Sequence, residues 1–296
     1  MLRIAIPKGS LEEGTFSLFK QADLPITRRD ERDYSIAIND PRISEAMILR
    51  PQEIASYVGE GEFDIGITGK DWIVETEAVV EEVADLQFSR GGWNKIKIVL
   101  ATDKNNPIKD VGDIDPNAKI VTEYPRITRR YFKNIGKRKV RIRLSYGATE
   151  VKVPRLADYL IDVTETGYTL IKNGKRIIAT ILESTTLLVA NKESWADPKK
   201  RQAINEIKDL LLGVLDARGK VLIKMKVSEE NLESLLEYLP AQESPNYSPV
   251  FSQNKREKLF SVETILEKSK LNIVIPEIRK LGAKDIVELN VGKVIL

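Results

Sequence analysis

The chain of 296 residues contains neither cysteine nor histidine. Lack of cysteine excludes a disulfide framework, a thiolate nucleophile and a zinc site of the cysteine type. Lack of histidine removes the commonest general base and the commonest ligand for zinc or iron. Chemistry therefore has to come from carboxylates, hydroxyls, lysine, backbone dipoles or a hard ion such as magnesium, and no metal tightly bound by the protein is expected. Long apolar runs are also missing: none approaches the ~18 residues that span a bilayer, so no membrane segment is expected. Charge of one sign is lacking too. The 47 basic and 44 acidic side chains leave a net charge of +3, which gives little support for a nucleic-acid binder. The exception is a basic run from Arg126 to Arg143 that includes Arg129, Arg130, Lys133 and Lys137 to Lys139. It reads as a solvated helix face followed by a strand, ahead of an anion-attracting wall. Residues 1–7 hold one cation and five apolar side chains before a Pro-Lys-Gly turn. That is too short for a secretory signal and reads as a first strand; a cytoplasmic location is the expectation.

The length exceeds what one core usually serves, so two or three domains are expected. Strand-like runs at 3–6, 63–67, 96–101, 119–121, 140–145 and 159–163 alternate with helical segments, which predicts an α/β architecture with largely parallel sheets. Leu11, Phe16, Leu18 and Phe19 follow Gly9-Ser10 at helical spacing. Gly91-Gly92 interrupts the pattern and reads as a hinge. Two β-rich runs at 176–182 and 185–190 precede a helix opened by Asp197-Pro198 and stopped at Arg218-Gly219. Beyond it the order is βαββαβ: a strand over 221–227, a helix capped by Ser228, strands near 247–251 and 258–266, a helix over 273–281 and a strand over 286–289. That order is ferredoxin-like.

The chemistry-bearing stretch is Tyr159-Leu160-Ile161-Asp162 followed by Val163-Thr164-Glu165-Thr166-Gly167-Tyr168-Thr169-Leu170. A strand that ends in an acid and runs into a Thr/Gly loop before a helix turns successive N–H groups and hydroxyls toward one point, which suits a phosphate. Gly167 lets the main chain approach, and Thr166 and Thr169 can donate O–H groups. Asp162 and Glu165 can accept from sugar hydroxyls or hold water on magnesium. Taken alone, T-x-T-G-x-T is equally a plain turn.

The longer pattern D-V-x-x-T-G-x-T is similar to the phosphate loop of phosphoribosyltransferases. With Gly147-Ala148-Thr149-Glu150-Val151, Pro154, Leu156-Ala157-Asp158 and the stretch from Asp162 to Gly174, it resembles the signature of the long form of ATP phosphoribosyltransferase. The resemblance extends over Ile4 to Leu11, over Arg50-Pro51-Gln52-Glu53-Ile54, over Phe63 to Asp71 and over Thr122-Glu123-Tyr124-Pro125. Lys175 stands where the family usually has an apolar residue.

The resemblance implies two α/β lobes of periplasmic-binding-protein type around a cleft, plus a C-terminal ferredoxin-like regulatory domain. The expected division is 1–92 with 183–216, then 93–182, then 219–296. It also implies attack of adenine N1 of ATP on C1 of phosphoribosyl pyrophosphate, with Mg2+ as the ion. Thr164, Thr166, Gly167, Tyr168, Thr169 and Leu170 would hold the donor together with Lys8 and Gly9. Asp162, Glu165 and Lys8 would be the catalytic groups. Leu11, Arg50, Asp71, Tyr124, Thr149 and Glu150 would line the ATP side. Histidine is the implied inhibitor, near Asn246 and Ser248, and association into dimers and hexamers is implied with it. The rival reading is a two-lobe module that binds small anions or nucleotides without chemistry.

Overall fold

The structure, a computed structural model, describes residues 1–30, 33–88, 95–239, 245–251 and 258–295. The hinge expected at Gly91-Gly92 lies outside them. The chain divides into two compact units, Met1–Leu211 and Leu212–Leu296.

The first unit opens with β1 (Leu2–Pro7), α1 (Glu12–Gln21), β2 (Ile26–Thr27), β3 (Ser35–Ile38), β4 (Ile43–Leu49) and α2 (Pro51–Gly59). Then come β5 (Ile65–Gly69), α3 (Lys70–Thr76), β6 (Val80–Asp85), β7 (Ile96–Asp103), β8 (Lys119–Thr122), α4 (Pro125–Asn134) and β9 (Arg141–Leu144). It continues through β10 (Tyr159–Thr164), α5 (Tyr168–Lys172), β11 (Lys175–Ser184), β12 (Thr186–Asn191) and α6 (Lys192–Ala196) into α7 (Pro198–Ala217), which runs on past Leu211.

Two sheets result, one in each lobe: a seven-stranded one in the order β2-β3-β4-β1-β5-β12-β6 and a five-stranded one in the order β11-β7-β10-β8-β9. The expectation of largely parallel sheets is corrected. Strand β1 runs parallel to β4 and β5, and β8 to β9 and β10. But β12 is antiparallel to β5 and β6, and β7 to β10 and β11. Antiparallel neighbours need no helical crossover, so a strand returning late in the chain can enter a sheet directly. Only Thr185 separates β11 from β12, so the chain steps at that residue from the second sheet into the first. The two-residue β2, the four-residue β3 and the half-buried β6 carry too little apolar pattern to show in the sequence, and β4, apolar at five of its seven positions, lacks a clean alternation.

Strand β5 is buried along its whole length, as a central strand covered on both faces must be. In the second sheet Ile98 and Leu100 face one core with Ile120, Phe132 and Ile161, while Val99 and Ala101 face the other with Val121, Leu160 and Leu170. Period-two alternation on β7 thus feeds two layers. Lys175 is buried at 7% exposure and its ammonium pairs with Asp103 at 3.4 Å, which lets a cation sit in a buried place.

Asp64 ties the late segment to the first sheet. It is 1% exposed and accepts from the Arg3 N–H, the Ser194 hydroxyl and the Lys200 ammonium, each at 2.7 Å. Burial pushes its pKa up, but Lys200, the Arg3 amide and Ser194 outweigh burial and the net shift is downward. The folded carboxyl therefore titrates below the ordinary value of about 3.9. Its contribution is complete above that ordinary value and is lost as pH falls through the folded one. Asp64→Ala is expected to cost about 3 kcal/mol at neutral pH, with the difference from the parent shrinking in acid; urea unfolding of both proteins at pH 7 and pH 3 reads this. A constant difference across that range would contradict the account.

The second unit contains β13 (Lys220–Ser228), α8 (Glu229–Tyr238), β14 (Asn246–Val250), β15 (Leu259–Glu267), α9 (Leu271–Lys280) and β16 (Lys284–Asn290). Its sheet order β14-β15-β13-β16, with every neighbouring pair antiparallel, is the ferredoxin-like arrangement. Val221, Ile223, Met225 and Val227 project from β13 into one core with Leu235 and Ile278. Ser228 sits at the N-cap of α8, although its side chain makes no capping hydrogen bond.

Candidate active site

The Thr/Gly loop leaves β10 and turns into the short helix α5 at Gly167, which adopts φ +80°. A non-glycine residue is strained in that region. Asp162 accepts from the Val163 N–H at 2.7 Å, Thr164 Oγ1 from the Gly167 N–H at 2.9 Å and Thr166 Oγ1 from the Tyr168 N–H at 3.3 Å. The loop thus holds its own amides on neighbouring hydroxyls.

Beside the loop lies a cavity of about 510 Å³, within the range of small-molecule sites. Asp162 to Thr166, Thr169 and Leu170 line it together with Ile96, Glu123, Gly147, Ala148 and Glu150. Glu123 accepts from the Gly147 N–H at 3.0 Å and so ties two segments of the lining together. Four carboxylates face this space, and among the described residues lining it there is no lysine or arginine. A phosphorylated ligand here needs a cation that comes with it or reaches in.

The two sheets meet close by. Helix α3 hangs from the first sheet and α4 from the second, and they dock end to end. Glu75 on α3 accepts from the N–H groups of Arg126 and Ile127 in the first turn of α4, at 2.9 to 3.1 Å. In return the Arg126 guanidinium donates to the Thr76 carbonyl at 2.7 Å and Arg130 to that of Val74 at 3.1 Å. Each helix end finds its missing partners in the other. Burial raises the Glu75 pKa even though these amides favour its charge. The Trp72 ring packs on Tyr124 at 4.7 Å and belongs to the core of the second sheet.

A family model described as ATP phosphoribosyltransferase matches residues 50–213, and one described as its C-terminal domain matches 217–293. The ATP phosphoribosyltransferase of Pelotomaculum thermopropionicum is 45% identical over 294 residues, covering 99% of both chains. That of Desulforudis audaxviator is 43% identical over 296 residues, again covering 99% of both. The chain belongs to the ATP phosphoribosyltransferase family. Among solved structures, a chain of the ATP phosphoribosyl transferase (HisG:HisZ) complex from Thermotoga maritima superposes with a TM-score of 0.61 at 26% identity, covering 72% of this chain and 99% of that one.

For an ATP phosphoribosyltransferase, the loop residues named from the sequence fall together in one cavity, except that Gly167 and Tyr168 stand at its edge and Tyr168 is 67% exposed. Leu170 is buried in the core beneath and adds its side chain to packing with Leu160 and Val121. Lys8 and Gly9 are not in the cavity lining. The Lys8 ammonium sits 4.4 Å over the Tyr34 ring and 3.1 Å from its hydroxyl, and the Gly9 N–H donates to Glu12 at 3.1 Å. The hydrogen bond from Lys8 pulls the Tyr34 pKa down.

On the ATP side only Glu150 lines the loop cavity. Arg50 is exposed at the start of α2. Leu11, Asp71, Tyr124 and Thr149 are buried, and Thr149 shares a hydrogen bond of 3.0 Å with Ser145. Asn246 and Ser248 lie exposed on the edge strand β14, opposite Glu263 and Ser261. Ile96, Glu123, Gly147 and Ala148 line the cavity without having been assigned to it from the sequence. Glu123 had a signal, as the acid of the T-x-Y-P turn.

Proposed function

We propose that the protein joins adenine N1 of ATP to C1 of phosphoribosyl pyrophosphate and releases pyrophosphate, the first step of histidine biosynthesis. The observation that carries this reading is the cavity that an acid-led Thr/Gly loop lines together with Glu123 and Glu150, in a chain of this family.

The C1 to pyrophosphate-oxygen bond breaks as the N1 to C1 bond forms, through a transition state with positive charge on the ribose. Positioning and charge stabilisation serve such a step, and no histidine is needed. The 5′-phosphate would take the amides of Gly167 and Tyr168 from the Thr164 and Thr166 hydroxyls that now hold them. A charged acceptor makes the stronger hydrogen bond, and the released hydroxyls can then donate to it as well. Asp162 would accept from the ribose hydroxyls and, with Glu165, favour the developing positive charge. Lys8, with the Gly9 amide, would meet the pyrophosphate when the cleft closes. Glu150 and Arg50 would contact the nucleotide directly, while Leu11, Asp71, Tyr124 and Thr149 would act from beneath the surface.

The donor set fits magnesium. Glu123, Glu150, Asp162 and Glu165 offer only hard oxygens, and among the described residues no group of three acidic side chains is placed to hold a metal by itself. The ion would therefore arrive on the donor's oxygens, where it neutralises the leaving pyrophosphate. Histidine is the inhibitor in this reading, bound near Asn246 and Ser248 of an oligomer. No helix among the described residues is long and apolar enough to cross a membrane, and we place the enzyme in the cytoplasm.

Pyrophosphate release, followed with ATP, donor and magnesium together and with each left out, tests the proposal. Release that needs all three is expected. Binding of both ligands without release would leave the sensing module as the answer.

A further inference from the structure

We propose that Ser184 is a positioning residue for the transfer, acting through Asp71 and Tyr124 to place the cavity wall that faces the phosphate loop; this rests on the function proposed above. Ser184, Asp71 and Tyr124 are 1%, 2% and 0% exposed, so no solvent competes for their polar atoms. The Ser184 hydroxyl donates to Asp71 Oδ1 at 2.6 Å and accepts from the Asp71 N–H at 2.9 Å. The Tyr124 hydroxyl donates to the other oxygen, Asp71 Oδ2, at 2.9 Å. Asp71 belongs to the first lobe, Tyr124 to the second, and Ser184 ends β11 one residue before the chain crosses from the second to the first. The carboxylate is thus a clasp between the lobes, held among the described residues by these two hydroxyls.

Space makes the clasp exact in place. A Cβ built on Gly69 would collide with Asp71 Oδ1, so the carboxylate lies flat against bare backbone. Ser184 pairs with Ile96, and Ile96 itself lines the loop cavity. On the far side, Tyr124 directly follows Glu123, whose carboxylate lines the cavity and holds the Gly147 amide of the wall leading to Glu150. A displacement that begins at Ser184 therefore travels through three buried hydrogen-bonded groups to the nucleotide wall. The phosphate loop stands on β10, between β7 and β8 of the same sheet, and is reached from these three groups only through that sheet.

Ser184→Ala removes one of two donors from a buried carboxylate. With ATP and phosphoribosyl pyrophosphate as probes, the full-length variant is expected to show a KM for ATP raised by about tenfold, the size of one lost hydrogen bond to a buried charge. The donor KM and kcat should each change by less than about threefold, since the donor's hydrogen bonds come chiefly from the loop on β10. Ser184→Thr, which keeps the hydroxyl, should restore the ATP KM. Adding Ser184→Ala to Tyr124→Phe should cost no more than Tyr124→Phe alone, because both break one path. Gly69→Ala should reproduce the ATP effect by pushing the carboxylate away. Without any substrate, amide exchange over 122–128 and 145–150 should quicken in Ser184→Ala and stay at the parent rate over 164–170. An unchanged ATP KM with unchanged exchange would overturn the proposal, and so would additive losses in the double variant or equal rises in both KM values. If the parent protein shows no turnover, the activity assignment fails, and the exchange comparison still decides the role of Ser184.

Discussion

Gly167→Val is expected to abolish productive binding of the phosphoribosyl donor while the chain remains folded. Two physical terms combine at this position. The backbone stands at φ +80°, where a β-branched residue is strained, and a Cβ would come within 3.1 Å of the Ile177 side chain. Relief of either moves the Gly167 and Tyr168 amides away from the point they share. The loop borders an open cavity, so the stability cost should stay within about 0.5–3 kcal/mol, as for most single substitutions. Donor affinity should fall by more than about a hundredfold, the loss of two hydrogen bonds to a charged group. Thr166→Ala should be milder, roughly ten- to a hundredfold, since one such bond is lost. ATP affinity should change less in both variants, because Glu150 lies on a separate segment of the chain from the loop. Calorimetric titration of each ligand into the folded variants gives these ratios, and parent-like donor binding by Gly167→Val would place the phosphate elsewhere.

A chain ending at Arg218 is expected to lose its response to histidine. The cut keeps α7 entire and removes a sheet with a core of its own, built on Val221, Ile223, Met225, Val262 and Ile278. The loop cavity is left with all its lining residues. Removing a unit that builds the oligomer also lowers basal activity, so the quantity to compare is the ratio of rates with and without histidine. That ratio should approach one in the shortened chain. An undiminished response would move the effector site into residues 1–218.

The loop from Asp162 to Thr169 was legible as a local unit because its parts are contiguous: the acids and hydroxyls stand within eight residues and share one cavity, with Gly167 outside its lining. The second unit was legible for a similar reason, since β13 alternates cleanly and its helices are bounded by Ser228 and Gly282. The pairing directions in the first unit were not. Nothing in β12 announces that it enters between β5 and β6 as an antiparallel strand; the step at Thr185 is a tertiary event. The ATP side was less legible still. Asp71 and Tyr124 carry family motifs, but their burial depends on a contact across 53 residues and on Ser184, 113 residues from Asp71. Sequence spacing holds no record of such distances. Lys8 shows the same limit, for its partner Tyr34 sits on another segment.

The most direct test of the account is a crystal structure of the full chain with phosphoribosyl pyrophosphate and magnesium bound. The account predicts the 5′-phosphate within hydrogen-bond distance of the Gly167 and Tyr168 amides and the Thr166 and Thr169 hydroxyls, with the ribose hydroxyls on Asp162. A 5′-phosphate seated instead at the turn of Lys8 and Gly9, with the 164–169 loop still bonded to itself, would contradict it.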